Sequence, residues 1–277
     1  MSEIPQRFTR RHFLQKSAAL GLCTAGTLTS CSRHYAFKSA GTIVSAPVEV
    51  QYVETGFTRS YLLPCNSGYL LIDTSYPNEY ENFISGLRHL NIDPNEIKYL
   101  LLSHHHDDHA GFAARLIEDT GATLIVHAKA LPYLRQGQSE DISQPVNTCV
   151  RCLVGIFSQF HDFTFPPLNV SETDIIISGD DSEFLDDIGI EGVVLHTPGH
   201  TDDSISVVLK NGSAFVGDVA MNFMNYCGTR HRPIYITDIN EVYTSWEKLI
   251  ASGARRIYPA HGKPFDAQEL VHQINRR

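Results

Sequence analysis

The sequence has no apolar run long enough to cross a membrane. Among its 277 residues the longest uncharged stretch, Ser17–Ser32, falls short of the roughly 20 residues that a spanning helix needs and is only modestly apolar. Positive charge is also scarce. Lys and Arg number 22 against 31 Asp and Glu, for a net charge of −9. Arg7, Arg10, Arg11 and Lys16 stand close to the N-terminus, so the body is more acidic than the whole. A chain of that sign repels polyphosphate, which argues against a nucleic-acid partner. The 6 cysteines make no disulfide framework: Cys23 and Cys31 fall early, and Cys65, Cys149, Cys152 and Cys227 are scattered through the body. Cys149-Val150-Arg151-Cys152 has the spacing of a redox pair or half a zinc site, but no second CxxC completes it. Buried or paired thiols are the expectation. No internal repeat or low-complexity linker divides the chain. What it has in abundance is histidine, 14 residues of the usual metal ligand, the side chain that titrates near neutrality.

The N-terminus reads as an address. Thr9-Arg10-Arg11-His12-Phe13-Leu14-Gln15-Lys16 precedes an uncharged, modestly apolar stretch from Ser17 to Ser30. A basic start, a short apolar middle and small residues at the end describe a secretory signal. The arginine pair followed by Phe13-Leu14 resembles the twin-arginine export motif, and Leu28-Thr29-Ser30-Cys31 resembles a lipobox. Residues 1–30 are therefore expected to be a signal segment, with Cys31 as a lipidation site. The mature protein is expected in the periplasm or cell envelope, touching the membrane only through that lipid. The alternative is a basic N-terminal helix of a cytosolic protein.

The folded domain is expected over residues 42–277. Short β-rich runs, Val48–Val53, Ser60–Leu63 and Tyr69–Ile72, are separated by turn residues. Tyr80, Phe83, Ile84 and Leu87 recur at i, i+3, i+4 and i+7, the pattern of an amphipathic helix. Ile97–Leu102, apolar except for Lys98, reads as a strand of the kind covered on both faces. Helix from Gly111, strand at Thr123–Val126 and helix at Ala128–Leu134 follow. Residues 135–170 break the pattern: they carry Phe157, Phe160, Phe163 and Phe165 and close with Pro166-Pro167. They form an insertion that reads either as a lid over a site or as a helical excursion on the surface. Strands return at Asp174–Ile177, Gly192–Leu195, Ser204–Val208, Ser213–Gly217 and Arg256–Tyr258. Asp238 and Glu241 make a capping box for a helix facing inward through Val242, Trp246, Leu249 and Ile250, and Ala267–Ile274 is a last helix. Two β-rich halves, each with helices, predict an α/β architecture of two packed sheets with helices outside.

The chemistry concentrates after strands. Ser103-His104-His105-His106-Asp107-Asp108-His109 follows the first buried strand. In extended chain, side chains at i and i+2 share a side, so His104 and His106 aim at one ion while Asp108 and His109 reach a second. A histidine-rich surface tract is the bland alternative. Its position speaks against that, because ligands bind at the C-terminal ends of strands in α/β sheets. His200, Asp218 and His261 end Thr197-Pro198-Gly199-His200, Val216-Gly217-Asp218 and Pro259-Ala260-His261, again after strands and beside Gly or Pro.

Together these residues resemble the metallo-β-lactamase superfamily, whose signature is His-x-His-x-Asp-His followed by an isolated His, an Asp and a final His. The resemblance covers roughly residues 45–265. It implies an αβ/βα four-layer sandwich with a dinuclear site between the sheets, zinc being the expected metal and iron or manganese the alternatives. Position by position, it implies that His104, His106 and His200 hold one ion, that Asp108, His109 and His261 hold the other, and that Asp218 bridges them. A bridging hydroxide is then the nucleophile and Asp108 the proton acceptor and donor. His105 and Asp107 are variable positions of the signature, expected beside the ligands or on the surface. His196 is expected to be structural, with His127 and His161 as candidates for supporting a ligand or touching substrate.

The resemblance also sorts the chemistry. The superfamily's β-lactamases place Cys or Ser where Asp218 stands, so antibiotic hydrolysis is not the expectation. The short tail after His261 leaves no helical glutathione-binding domain of the glyoxalase II kind. Acyl-homoserine-lactone lactonases carry a tyrosine at the position of Met221, for which Tyr226 is the nearest substitute. What remains is a metal-dependent hydrolase of a small ester, lactone, thioester or phosphoester. Two alternatives stand beside it: a mononuclear iron enzyme resembling the persulfide dioxygenases, and a non-catalytic metal-binding surface lipoprotein.

Overall fold

Side-chain alternation builds two sheets that share one core. A computed structural model describes residues 39–45, 48–139 and 144–277; the signal segment, Cys31 and residues 140–143 lie outside the described residues. The first sheet takes β1 (Ser39–Ser45), β2 (Val48–Thr55), β3 (Thr58–Cys65), β4 (Gly68–Ile72), β5 (Ile97–Leu101) and β6 (Thr123–His127). β7 (Gln144–Pro145) leaves it, and β8 (Ile175–Ile177) completes its order β1-β2-β3-β4-β5-β6-β8. Its first four strands are antiparallel hairpins and the last four run parallel. β1 starts at Ser39, ahead of the residue 42 at which the folded part was expected to begin. The second sheet has the order β14-β13-β11-β10-β9, from β9 (Gly192–His196), β10 (Ile205–Leu209), β11 (Ser213–Phe215), β13 (Arg256–Tyr258) and β14 (Phe265–Asp266). β12 (Tyr235–Ile236) pairs with β7 instead.

Alternate residues face opposite ways along a strand. Tyr61 and Leu63 of β3, Leu101 of β5 and Ile125 of β6 enter the core between the sheets, where they meet Ile205, Val207 and Leu209 of β10, Phe215 of β11 and Tyr258 of β13. Leu62, Leu100 and Leu124 point the other way, under helices α1 (Tyr80–His89), α3 (Ala113–Thr120) and α4 (Leu131–Gln136). α2 (Asp107–Ala110) is a single turn between β5 and α3. On the far side, Val208, Ala214 and Ile257 lie under Val242, Trp246 and Leu249 of α7 (Ile239–Ala251) and Leu270 of α8 (Gln268–Ile274), α6 (Phe184–Asp187) being a short turn ahead of β9. The layers run helix, sheet, sheet, helix: the αβ/βα sandwich. Asp238 caps α7 by accepting from the amide of Asn240, so the cap is there without the reciprocal box.

The insertion is a helix with its own small core. α5 (Thr148–Phe157) packs Val150 and Val154 against Met224 and Cys227 of the loop after β11. Cys149 is bonded to Cys227 across 78 residues, not to its CxxC neighbour Cys152, which is free and exposed. Phe163 and Phe165 are buried, whereas Phe160 is exposed. The segment is thus both a packed excursion and, through Val154, Phe157 and Phe163, a wall of the cavity described below.

Candidate metal centre

Five strand ends open on one point. Asp73 directly follows β4; β5 runs into Ser103 to His109; the loops after β9, β11 and β13 deliver His200, Asp218 and His261. Two glycines permit the approach. Gly199 (φ +125°) and Gly217 (φ +50°) lie where side chains are strained, and a Cβ on Gly217 would stand 2.4 Å from the Ser103 hydroxyl oxygen.

All seven residues named from the sequence meet there. The donor atoms of His104, His106 and His200 form one group, those of Asp108, His109 and His261 another, and those of His104, His109 and Asp218 a third linking the two, with the atoms of each group within 4.8 Å of one another. His200 Nε2 is 3.2 Å from His104 Nε2 and 3.1 Å from His106 Nδ1. Asp218 spans the halves: Oδ1 is 3.5 Å from His109 Nε2, and Oδ2 lies 3.5 Å from His200 Nε2 and 3.3 Å from His261 Nε2. Asp108 Oδ2 is 3.1 Å from His261 Nε2.

Outward hydrogen bonds fix which nitrogen faces the centre. His200 Nδ1 donates to the Tyr235 carbonyl at 2.9 Å and His261 Nδ1 to the Phe57 carbonyl at 2.8 Å. His109 Nδ1 donates to Asp73 Oδ2 at 3.0 Å. Asp73 also accepts from the Ser103 amide at 2.7 Å and hydroxyl at 2.8 Å, and that hydroxyl lies 3.0 Å from His104 Nδ1. In each of these four rings Nδ1 is engaged outward, so Nε2 is the nitrogen turned to the centre, the orientation a metal ligand requires. His106 differs, turning Nδ1 to the centre.

Charge divides the cluster. Burial pushes His104 and His106 well below the ordinary imidazole value, and the neighbouring imidazoles push the same way. Burial also pulls on His109, but Asp218, Asp73 and Asp108 outweigh it and hold that ring well above its usual value. Burial acts on His261 as well, yet Asp218 and Asp108 lift it to about 10. Against its own burial, Asp218 is held well below the carboxylate range by His261 and His109. His109 Nε2 and Asp218 Oδ1 are buried and make no hydrogen bond. Buried polar atoms are nearly always satisfied. A buried nitrogen and a buried carboxylate oxygen held 3.5 Å apart without a hydrogen bond, amid five imidazoles and two carboxylates, fit one or two divalent cations, the imidazole-rich donor set being of the kind zinc takes.

The cavity above the cluster opens to solvent and is lined by His106, Asp108, His200, Asp218 and His261 together with Val154, Phe157, Phe163 and Ile234. Tyr76 and Tyr235 also line it, whereas Tyr226, the substitute considered for a lactonase tyrosine, is 83% exposed and stands away from it. Two variable positions prove buried, not superficial. His105 pairs with Asp203 at 2.8 Å and stacks on Tyr133, and Asp107 binds His161 and Ser139. His196 is structural, stacked on His127 with ring centres 4.2 Å apart. Neither of those two rings lines the cavity, whereas His161 does. Asp73 was missed. Nothing in Leu-Ile-Asp-Thr distinguishes it; the signal lies in the parallel pairing of β4 with β5, which sets Ile72 beside Leu101 and so Asp73 beside the His-rich segment.

Comparison with known proteins agrees with this geometry. Residues 53–261 match the family model of the Metallo-beta-lactamase superfamily. A Beta-lactamase-like protein 2 homolog of Caenorhabditis elegans is 26% identical over 226 residues, covering 79% of this chain and 59% of that protein. A Drosophila melanogaster protein of the same description is 25% identical and covers 79% of this chain and 64% of its own. The chain thus spans about three-fifths of the length of these relatives. Among solved structures, the subclass B3 metallo-beta-lactamase BJP-1 of Bradyrhizobium japonicum superposes with a TM-score of 0.57 at 19% identity, over 82% of this chain and 87% of that one. SMB-1, solved with mercaptoacetic acid, gives 0.58 at 17% identity over 88% and 95%. At such identities the likeness is one of fold. With the family model covering three-quarters of the chain and every strand end that carries a donor, the chain belongs to the metallo-beta-lactamase superfamily.

Proposed function

We propose that the protein is a metal-dependent hydrolase acting on a small ester, lactone, thioester or phosphoester with an apolar arm. One observation carries the reading: Asp218 stands between two complete donor groups, with its Oδ1 and His109 Nε2 buried, 3.5 Å apart and without a hydrogen bond. We assign one cation to His104, His106 and His200 and a second to Asp108, His109 and His261, with Asp218 shared. That arrangement favours a pair of zinc ions over the single iron of a dioxygenase. When bound, such a pair supplies Lewis acidity and an ionised water near neutral pH. The chain's own residues do the rest. Asp108, whose carboxylate lies at the cavity floor beside His261, accepts the proton of the attacking water and returns it to the leaving group. Val154, Phe157, Phe163 and Ile234 take the apolar arm and shield the reacting bond from bulk water.

The test is metal analysis of the purified mature protein together with turnover of an ester, lactone and phosphoester panel before and after chelation. Close to two zinc ions per chain and chelator-sensitive turnover support the reading; one iron, or metal without turnover, overturns it. We further propose export through residues 1–30 with a lipid on Cys31. The Cys149–Cys227 bond supports it, since such bonds persist in oxidising compartments. Arg10→Lys with Arg11→Lys should strand the precursor in the cytoplasm, and undiminished export refutes the twin-arginine assignment.

A further inference from the structure

Two adjacent carboxylates on α2 serve different ends. Successive helical residues diverge by about 100°, so Asp108 turns into the donor cluster while Asp107 turns toward the insertion. Asp107 is almost fully buried. Its amide donates to Ser139 Oγ at 3.0 Å, its Oδ1 accepts from that hydroxyl at 3.0 Å, and its Oδ2 meets His161 Nε2 at 2.5 Å. Three rings grip the His161 imidazole: Phe157 stacks on it at 4.8 Å, and Tyr76 and Phe163 meet it edge-on at 5.0 and 4.8 Å.

His161 makes no second hydrogen bond among the described residues, keeps 22% of its side chain exposed, and lines both the metal cavity and a neighbouring one that reaches Phe57 and Glu79. In the tautomer that donates Nε2–H to Asp107, Nδ1 carries the ring's lone pair.

We propose, resting on the hydrolase reading above, that His161 is a substrate-contacting residue whose Nδ1 accepts a hydrogen bond from a hydroxyl or amide N–H on the substrate's arm, and that Asp107 is the positioning residue that orients it. The favoured substrate class is an uncharged ester or lactone carrying such a donor near the scissile bond. An arm without the donor leaves Nδ1 unpaired in a partly desolvated wall, and the site discriminates against it.

The probes are p-nitrophenyl butyrate and its β-hydroxy counterpart, tested on the metal-replete full chain with metal content measured alongside. The wild type should favour the hydroxylated ester by about tenfold in kcat/KM, the scale of one buried hydrogen bond. His161→Gln keeps an amide at the position of Nε2 and should lose that preference, through KM more than kcat, with metal content unchanged. His161→Asn keeps an acceptor at the position of Nδ1 and should retain part of it. Asp107→Asn should lose part of it, and the Asp107→Asn, His161→Gln pair should be no worse than His161→Gln alone. If His161→Gln does not fold, Asp107→Asn carries the same comparison. Chelator-sensitive wild-type turnover with unchanged preference in these variants overturns this inference alone. No chelator-sensitive hydrolysis of either ester by the wild type overturns the ester reading, and this inference with it.

Discussion

Asp73→Asn separates the two halves of the centre. The Asp73 carboxylate is 1% exposed and takes three bonds, from the Ser103 amide at 2.7 Å, the Ser103 hydroxyl at 2.8 Å and His109 Nδ1 at 3.0 Å. An asparagine keeps the shape, and it tolerates the left-handed φ of +63° as aspartate does, so the backbone does not confound the result. Its oxygen continues to accept from the Ser103 amide, which places Nδ2 where Oδ2 stood, donor against donor at His109 Nδ1. The relief is to give up the Nδ1 proton and keep the one on Nε2, the tautomer whose Nε2–H occupies the position a cation would take. Groups that orient a metal ligand in this way are worth about 10–100-fold in affinity, or about 1.4–2.8 kcal/mol. The loss should fall on the Asp108, His109 and His261 set. His104 leans on Asp73 only through the Ser103 hydroxyl, so its set should weaken less. Titrating metal-free protein with zinc against a chromophoric chelator, fitted to two sites, reads both affinities. Two affinities within about twofold of wild type would refute the tautomer argument.

Other outcomes follow from the same network. Gly217→Ala forces a Cβ against the Ser103 hydroxyl in a left-handed backbone and should cost about 2–4 kcal/mol in a denaturant melt; a loss under about 0.5 kcal/mol would show that Ser103 yields freely. Asp108→Asn should lower kcat by about 10²–10⁴ with the fold retained, and a near-normal rate removes its proton-transfer role. Chelated protein should lose stability as pH rises from about 6.5 toward 10. His261 is raised to about 10 by Asp218 and Asp108 against its burial, so its contribution is complete below the unfolded imidazole value and disappears as the folded ring deprotonates. A melting temperature of the chelated protein that is flat across that window refutes the pairing.

Strand-borne chemistry was legible because local sequence fixes it. A run such as Ile97–Leu102, apolar except for Lys98, reads as a strand, and polar donors directly after it stand at its C-terminal end. Repeating that inference at His200, Asp218 and His261 brought the same edge into view three more times. Long-range pairing left no such trace. Asp73 and His109 are joined only through sheet order, His161 reaches Asp107 across 54 residues, and Cys149 chose Cys227 over the partner its own CxxC spacing suggested. The bland identity of β1 hid it as well: Ser39–Ser45 has little apolar character, and pairing with β2 makes it a strand.

The segment Ser103–His109 shows why a site so exacting survives at the end of a strand. Its residues do not act as a unit; each is tied to a different part of the fold. Ser103 is bonded to Asp73 at the end of β4, His104 and His106 face His200, and His105 turns away to a buried carboxylate, Asp203. Asp107 is held by Ser139 and His161, and Asp108 and His109 face His261 and Asp218. Extended geometry sends alternate residues to opposite sides, and the helical turn that follows separates the next pair by about 100°. One short stretch is thereby anchored in both sheets and in the insertion at once. Moving any one donor would break contacts in another layer, so the free rings are kept close to the arrangement that cations need. That preorganisation is what a bare histidine tract lacks, and it is the physical difference between scavenging a metal and placing one beside a substrate.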